Sequence, residues 1–356
     1  MIKYLGSKRR LIPVLGEICA RAEARRAIDL FTGTTRVAQE MKRRGAHVTA
    51  VDTARYAEVF AQCYVALDGE TADLAALADA LRDLESRPGV DGYVTETFCM
   101  QARFFQPHNG RRIDAMRDAL ERDYRGSWMY PVLLTSLIEA ADRVDSTTGV
   151  QMAYVKEWAP RSFRPVELRL PALVAGSGAA VRADARDIAR ECGGFDLAYL
   201  DPPYNQHRYF TNYHVWETLV AWDAPPHYGV ACKRVDAREP DTKSVFNERR
   251  GMPDALAQVI RDIDAALVVV SYNDESWVTI QQLEAMCAAR GDDVRTLAFP
   301  SRRYVGAQIG IHNPNGEKVG RVSHLRNVEY VVCAGERGLV ERVTSRLEDR
   351  ALPLPS

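Results

Sequence analysis

The stretch AIDLFTGTTRVAQEMKRRGAHVTAVD, residues 27–52, limits what this chain can fold into more than any other. A short apolar run (27–31) meets a Gly-containing turn, a helical pattern follows over 35–44, and a second apolar run (47–52) ends on Asp52. Strand, turn, helix and strand at this spacing predict a βαβ unit, and βαβ units build parallel sheets. In such sheets a ligand sits beyond the carboxyl ends of the strands, where a turn brings backbone N–H groups close to it.

Two residues of the stretch suit a nucleotide-like ligand. Gly33 has no Cβ to keep a ligand off the backbone. Asp52 closes the second strand about twenty residues on, where a carboxylate accepts hydrogen bonds from ribose hydroxyls. The run Gly33-Thr34-Thr35-Arg36 lacks the further glycines of the dinucleotide fingerprint, so a pyrophosphate would meet side chains. A cofactor with a ribose and no phosphates fits better, and S-adenosylmethionine is the expected one. The same missing glycines exclude a dehydrogenase.

Along the rest of the chain the strand signal stops and later returns. From about 54 to 165 the periodicity is helical, as in DLAALADALRDLE (73–85), RIDAMRDALERD (112–123) and WMYPVLLTSLIEAADRV (128–144), with QPHNGRR (106–112) as a polar loop before a helix. Strand patterns resume at VRAD (181–184), FDLAYLD (195–201), ALVVVSYN (266–273) and VRTLAFP (294–300). NVEYVVCAG (327–335) reads as a last strand, paired with a segment near 303–311. The expected architecture is α/β, a Rossmann-like fold suited to S-adenosylmethionine, with a mainly helical inserted subdomain; the motifs below imply that it is an S-adenosylmethionine-dependent methyltransferase fold. Residues 1–65 and 166–356 would form the catalytic domain and 66–165 the insertion.

The chemistry is concentrated in AYLDPPYN (198–205), where an apolar strand stops on a carboxylate followed by two prolines and an aromatic ring. Methylation of an exocyclic amine such as adenine N6 starts from a delocalised, weakly nucleophilic nitrogen. Acceptors aimed at its N–H bonds favour the pyramidal nitrogen that develops as the methyl group arrives, which is electrostatic stabilisation of the transition state. Asp201 supplies one acceptor and the backbone carbonyl of Pro202 a second. Pro202 and Pro203 fix φ and hold both acceptors in place. Tyr204 offers a face on which a base extruded from the duplex can stack.

These segments resemble the alpha-type N6-adenine DNA methyltransferases, the DPPY group to which Dam belongs. KYLGSK (3–8) is similar to the N-terminal motif of that family, DLFTGTTRVA (29–38) to its cofactor loop, and DPPYN (201–205) to its catalytic motif. NYHVWETL (212–219) and VVSYNDES (269–276) are similar to segments that follow DPPY in close members. The resemblance implies that Tyr4, Lys8, Asp29, Phe31, Gly33, Asp52 and Asp184 serve the cofactor, with Lys8 near the methionine carboxylate and Asp184 at the adenine moiety. Ala185 replaces the usual aromatic, and Thr35 stands where a second Gly is frequent. It also implies that the insertion recognises double-stranded DNA, with Arg111, Arg112, Asn205, Arg302 and Arg303 as candidate contacts. A cognate restriction endonuclease and a role in protecting host or phage DNA belong to the same expectation.

Two other readings stay open on the residues alone: N4-cytosine methylation, usually with Ser at position 201, and a silent DNA-binding regulator on the same scaffold. Cytosine C5 methylation would need a Pro-Cys nucleophile, and none of the seven cysteines follows a proline. Those cysteines show no metal-ligand spacing, so no metal is expected. Net charge is −1, and only local clusters such as SKRR (7–10) and SRRY (301–304) are basic. No apolar run approaches the ~18 residues of a membrane span. MIKYLGSKRR lacks a signal-peptide core, so a cytoplasmic, nucleoid-associated protein acting as a monomer or weak dimer is expected.

Overall fold

The apolar runs pair side by side into one twisted sheet, because their backbone N–H and C=O groups have no other buried partner. The strands are β1 (Arg26–Asp29), β2 (His47–Asp52), β3 (Gly178–Arg182), β4 (Phe195–Leu200), β5 (Ala265–Asn273), β6 (Asp293–Arg302) and β7 (Arg326–Gly335). They come from a computed structural model that describes residues 2–6, 8–152, 154, 157–203, 206, 208–291, 293–302 and 326–353, with the backbone alone at 302 and 326. Tyr204, Asn205, Arg303 and the Arg302 side chain therefore lie outside the described residues.

The sheet order is β3-β2-β1-β4-β5-β7-β6. β3, β2, β1, β4 and β5 pair in parallel, while β7 runs antiparallel to both β5 and β6. The chain leaves β1 to one side for β2 and β3, then returns on the other side as β4. This reversal between β1 and β4 is the switch point where doubly wound sheets open a crevice. The last strand, 326–335, pairs along its whole length with residues 293–302; the segment 303–311, expected as its partner, lies outside the described residues.

Both faces of the sheet are covered, which is why β5 is buried at nearly every position. On one face α1 (Ile12–Arg21), α2 (Arg36–Arg43) and α3 (Arg55–Ala61) pack together with α4 (Leu74–Ser86), α5 (Pro107–Tyr124), α6 (Tyr130–Val144), α8 (His214–Ala221) and α11 (Arg337–Thr344) in one apolar cluster. On the other face α7 (Ala185–Glu191), α9 (Met252–Asp262) and α10 (Ile280–Ala288) build the second cluster.

The expected loop QPHNGRR is mostly helix: α5 begins at Pro107, whose missing N–H is no loss in a first turn. Asn109 is fully buried there and ties the helix to the chain beyond α6. Its Nδ2 donates to Ser162 and Arg164 carbonyls at 3.0 and 2.9 Å, and its Oδ1 accepts from Val166 N–H at 2.8 Å. Further along α5, buried Arg117 donates to the Leu219 and Val220 carbonyls at the end of α8, at 2.6 and 3.2 Å.

A segment after α8 folds back over the crevice, and Arg234 anchors it. Its guanidinium, 2% exposed, binds Asp223 through two contacts of 2.7 Å and Asp236 at 2.7 and 3.0 Å. Charge-assisted contacts of this kind are worth about 1.5–3 kcal/mol. Arg234→Met is therefore expected to lose on the order of 2 kcal/mol in urea unfolding. Limited proteolysis should cut the variant faster between residues 235 and 250.

Candidate active site

The carboxyl ends of β1, β2 and β4 meet at the switch point and open into a cleft of about 600 Å³. The N-terminal segment, the β1–α2 turn, the ends of β2, β3 and β4, the chain from Tyr209 into α8 and the strap anchored by Arg234 all line it. Tyr4, Lys8, Asp29, Phe31, Gly33, Asp52, Asp184, Asp201 and Pro203 all face this one space, so the motifs read from distant stretches converge. Pro202 is buried beside them.

The β1–α2 turn is held by an acid from the neighbouring strand. Gly33 has φ +50°, and a Cβ there would approach the Tyr4 ring at 3.1 Å, so glycine is required twice over. Its N–H donates to Asp52 Oδ2 at 2.9 Å, and Asp52 Oδ1 accepts from Ala54 N–H at 2.9 Å. Burial raises the Asp52 carboxyl above its usual range, held back by these N–H donors. Asp52 thus shapes the loop as well as facing the cleft. Thr35 also lies in the left-handed region, at φ 61°, which explains the preference for glycine there. Gln39 Nε2 donates to its hydroxyl at 2.8 Å and helps to hold the strained residue.

A tyrosine cluster forms one wall. The Tyr4 ring stacks on Tyr213 at 4.8 Å and on Tyr209 at 5.3 Å, and its hydroxyl lies 3.3 Å from that of Tyr56. Opposite, Phe31 meets the strap edge-on through Phe246, with centroids 4.9 Å apart. Asp184 caps α7 by accepting from Arg186 N–H at 2.9 Å, and the Arg186 side chain grips it at two points of 3.0 Å. Burial alone would raise the Asp184 carboxyl, but the contacts from Arg186 hold it below the usual range.

At the exit of β4 the Lys8 ammonium, almost wholly buried, lies 3.1 Å from Asp201 Oδ1 and 2.8 Å from Glu329 Oε2. Lys8, expected near the methionine carboxylate, bridges these two acids in this structure. Burial pushes the Asp201 carboxyl up to about 6, against the pull of Lys8. Asp29, almost wholly buried beside it, is pushed up to about 7 for the same reason. Both values leave a substantial ionised fraction at neutral pH.

Three cleft or cleft-edge residues were not singled out from the sequence. Arg36 lines the cleft at the start of α2, and its buried Nε has no hydrogen-bond partner among the described residues. Glu217 is 1% exposed; its Oε1 accepts from Arg55 N–H at 2.8 Å, while Oε2 has no hydrogen-bond partner there and lies 3.8 Å from Arg55 Nη1. Burial pushes Glu217 up to about 7. The third, Glu329, is a lone acid within an apolar strand. That irregularity is the only signal its sequence carries.

Of the four arginines expected to touch DNA, Arg111 and Arg112 have partners inside the protein. Arg111 is exposed and pairs with Asp91 at 2.7 Å. Arg112 donates to the Arg87 and Glu85 carbonyls at the end of α4, the latter at 2.5 Å, and so caps that helix. Among the described residues no group of acids, cysteines and histidines is arranged to hold a metal, and no helix is long and apolar enough to cross a membrane.

Comparison with known proteins agrees with this geometry. The family model described as D12 class N6 adenine-specific DNA methyltransferase matches residues 4–286. The type II methyltransferase M.NlaIII of Neisseria lactamica is 29% identical over 72% of this chain and 77% of its own length. The type II methyltransferase M.CviAII of Paramecium bursaria Chlorella virus 1 is 26% identical over 82% of this chain and 89% of its own. Modification methylase StsI of Streptococcus sanguinis is 26% identical over 86% of this chain, which spans only 50% of that relative. The chain, with its Rossmann-like sheet and its Asp-Pro-Pro-Tyr strand end, belongs to the D12 class N6 adenine-specific DNA methyltransferase family.

Proposed function

We propose that this protein transfers a methyl group from S-adenosylmethionine to N6 of an adenine turned out of duplex DNA, with Asp201 as the acceptor for an N6–H bond. The observation that carries this reading is the Asp201 carboxylate, fixed at the end of β4 in the same cleft as the β1–α2 turn. When bound, S-adenosylmethionine supplies an electrophilic methyl group on a sulfonium. The donor set suits it: Asp29, Asp52 and Glu217 offer carboxylates to its cationic centres and hydroxyls, and the tyrosine cluster offers faces.

Asp201 accepts from the amine, and the Pro202 carbonyl is the second acceptor. Both stand preset, so little reorganisation is needed as positive charge grows on the nitrogen. Tyr204 would stack on the base. Arg36, with its orphaned Nε, replaces Lys8 as the group that receives the methionine carboxylate, since Lys8 is engaged by Asp201 and Glu329.

Residues 66–165 would read the DNA, with Arg111 at the surface, and Asn205, Arg302 and Arg303 would join the interface. Arg112 fits better as a helix cap than as a contact. A modification role beside a restriction nuclease, in the nucleoid and as a monomer or weak dimer, completes this reading, and the names of the relatives, a type II methyltransferase and a modification methylase, support its modification part.

The direct test is labelled methyl transfer to unmethylated DNA, with modified bases identified by digestion. Asp201→Ala should lower turnover at least about a hundredfold and still bind cofactor by calorimetry. Transfer to cytosine, or an Asp201→Ala variant as active as the parent, would end the reading.

The cofactor arm has its own test. Arg36→Gln should weaken S-adenosylmethionine binding about 10- to 100-fold, the equivalent of one charged hydrogen bond. Binding of 5′-methylthioadenosine, which has no carboxylate, should be unchanged. Equal losses for the two ligands would remove Arg36 from that position.

Arg111 and Arg112 should separate in a salt series. Arg111→Ala should reduce the slope of DNA affinity against salt by about one, whereas Arg112→Ala should lower thermal stability and leave the slope unchanged.

A further inference from the structure

The reversed direction of β7 brings its beginning, not its end, to the catalytic edge. Glu329 stands opposite Asn273 in the β5–β7 register, and Asn273 Nδ2 lies 3.4 Å from its Oε1. Its other oxygen is 2.8 Å from Lys8 Nζ, which is 3.1 Å from Asp201 Oδ1. Glu329 also lies beyond residues 4–286, the part matched by the family model. One ammonium therefore serves two carboxylates, and the triad keeps a net negative charge.

A lone Lys–Asp pair here would be neutral. Its carboxylate would be a blunted acceptor, since basicity and acceptor strength fall together. A second carboxylate on the same ammonium draws off part of that neutralisation. We propose that Glu329 is a positioning residue that acts through Lys8, holding the ammonium off full pairing so that Asp201 remains a strong acceptor for the amine N–H. This rests on the reading of Asp201 as the acceptor.

The groups around Asp201 are consistent with it. Lys8 approaches from the N-terminal segment, Glu329 from β7 and Asp29 from β1, while the Tyr199 hydroxyl from β4 bonds the Ser271 hydroxyl from β5 at 2.7 Å. After burial, Lys8 lowers the Asp201 carboxyl and Glu329 raises it. The sign follows: removing the charge of Glu329 makes Asp201 more acidic. The acid limb of the rate profile then moves to lower pH, and the plateau falls because the acceptor is weaker.

The experiment is single-turnover methyl transfer with saturating cofactor and DNA, between about pH 5 and 9, a range that brackets carboxylate and histidine titration. Glu329→Gln should lower the plateau roughly tenfold, move the acid limb to lower pH and leave cofactor affinity by calorimetry within about twofold. Glu329→Asp keeps the charge and should hold the limb in place. An unmoved limb in Glu329→Gln, or a limb displaced equally in both variants, overturns the inference. If Glu329→Gln does not fold, Glu329→Asp decides alone, a displaced limb counting against. Asp201→Asn is the separate control: full activity there would sink the acceptor reading itself, whatever Glu329 does.

Discussion

The Lys8 ammonium, buried at the carboxyl edge of the sheet, joins three pieces of chain that are far apart in sequence. It comes from the segment before α1, and it contacts Asp201 at the exit of β4 and Glu329 at the start of β7. Lys8 and Glu329 are 321 positions apart. Parallel strands deliver their ends to one edge, and here those ends carry acids: Asp29, Asp52 and Asp201. Gathering carboxylates in a half-dry cleft is costly, since burial disfavours each charge and neighbouring charges repel. One lysine placed among them, with N–H donors from Gly33 and Ala54, offsets enough of this cost for the edge to exist.

The balance is deliberately incomplete. Asp201, Asp29 and Glu217 all sit above the usual carboxylate range because burial outweighs their partners. A cleft so lined prefers a ligand that brings positive charge, which matches a sulfonium cofactor better than a phosphate-bearing one. The same sites trade stability for that preference. Each raised carboxyl stabilises the fold most below its unfolded value, and the contribution is lost as pH rises through its folded value. For Asp29 and Glu217 the window runs from about pH 4 to about 7.

Much of this was legible in the sequence, and the reason is local. Strand runs, the Gly33 turn and the Pro-Pro dipeptide are short-range signals, and each fell where its own pattern put it. What the sequence did not carry came from contacts made over long separations. PHNG looks like a loop, but Asn109 is buried and bonded to residues 162–166, so tertiary contacts turn a polar run into helix. Lys8 was matched to a carboxylate by motif alone, and nothing near it in sequence announces Glu329. Thr35 shows the opposite case: its left-handed backbone is a local fact, visible beforehand only as a missing glycine.

Arg117 ties α5 to the last carbonyls of α8, and Glu217 stands on that same short helix, facing the cleft. The helix is a shared axle. Its far end is gripped by Arg117 of α5, and its near end holds the backbone of Arg55 and Tyr56 at the first turn of α3. The two carbonyls that Arg117 holds lie within three residues of Glu217, so α5 and the pocket wall share one turn of helix. The wall of the cleft and α5 are thus joined through helix backbone and not through a loop.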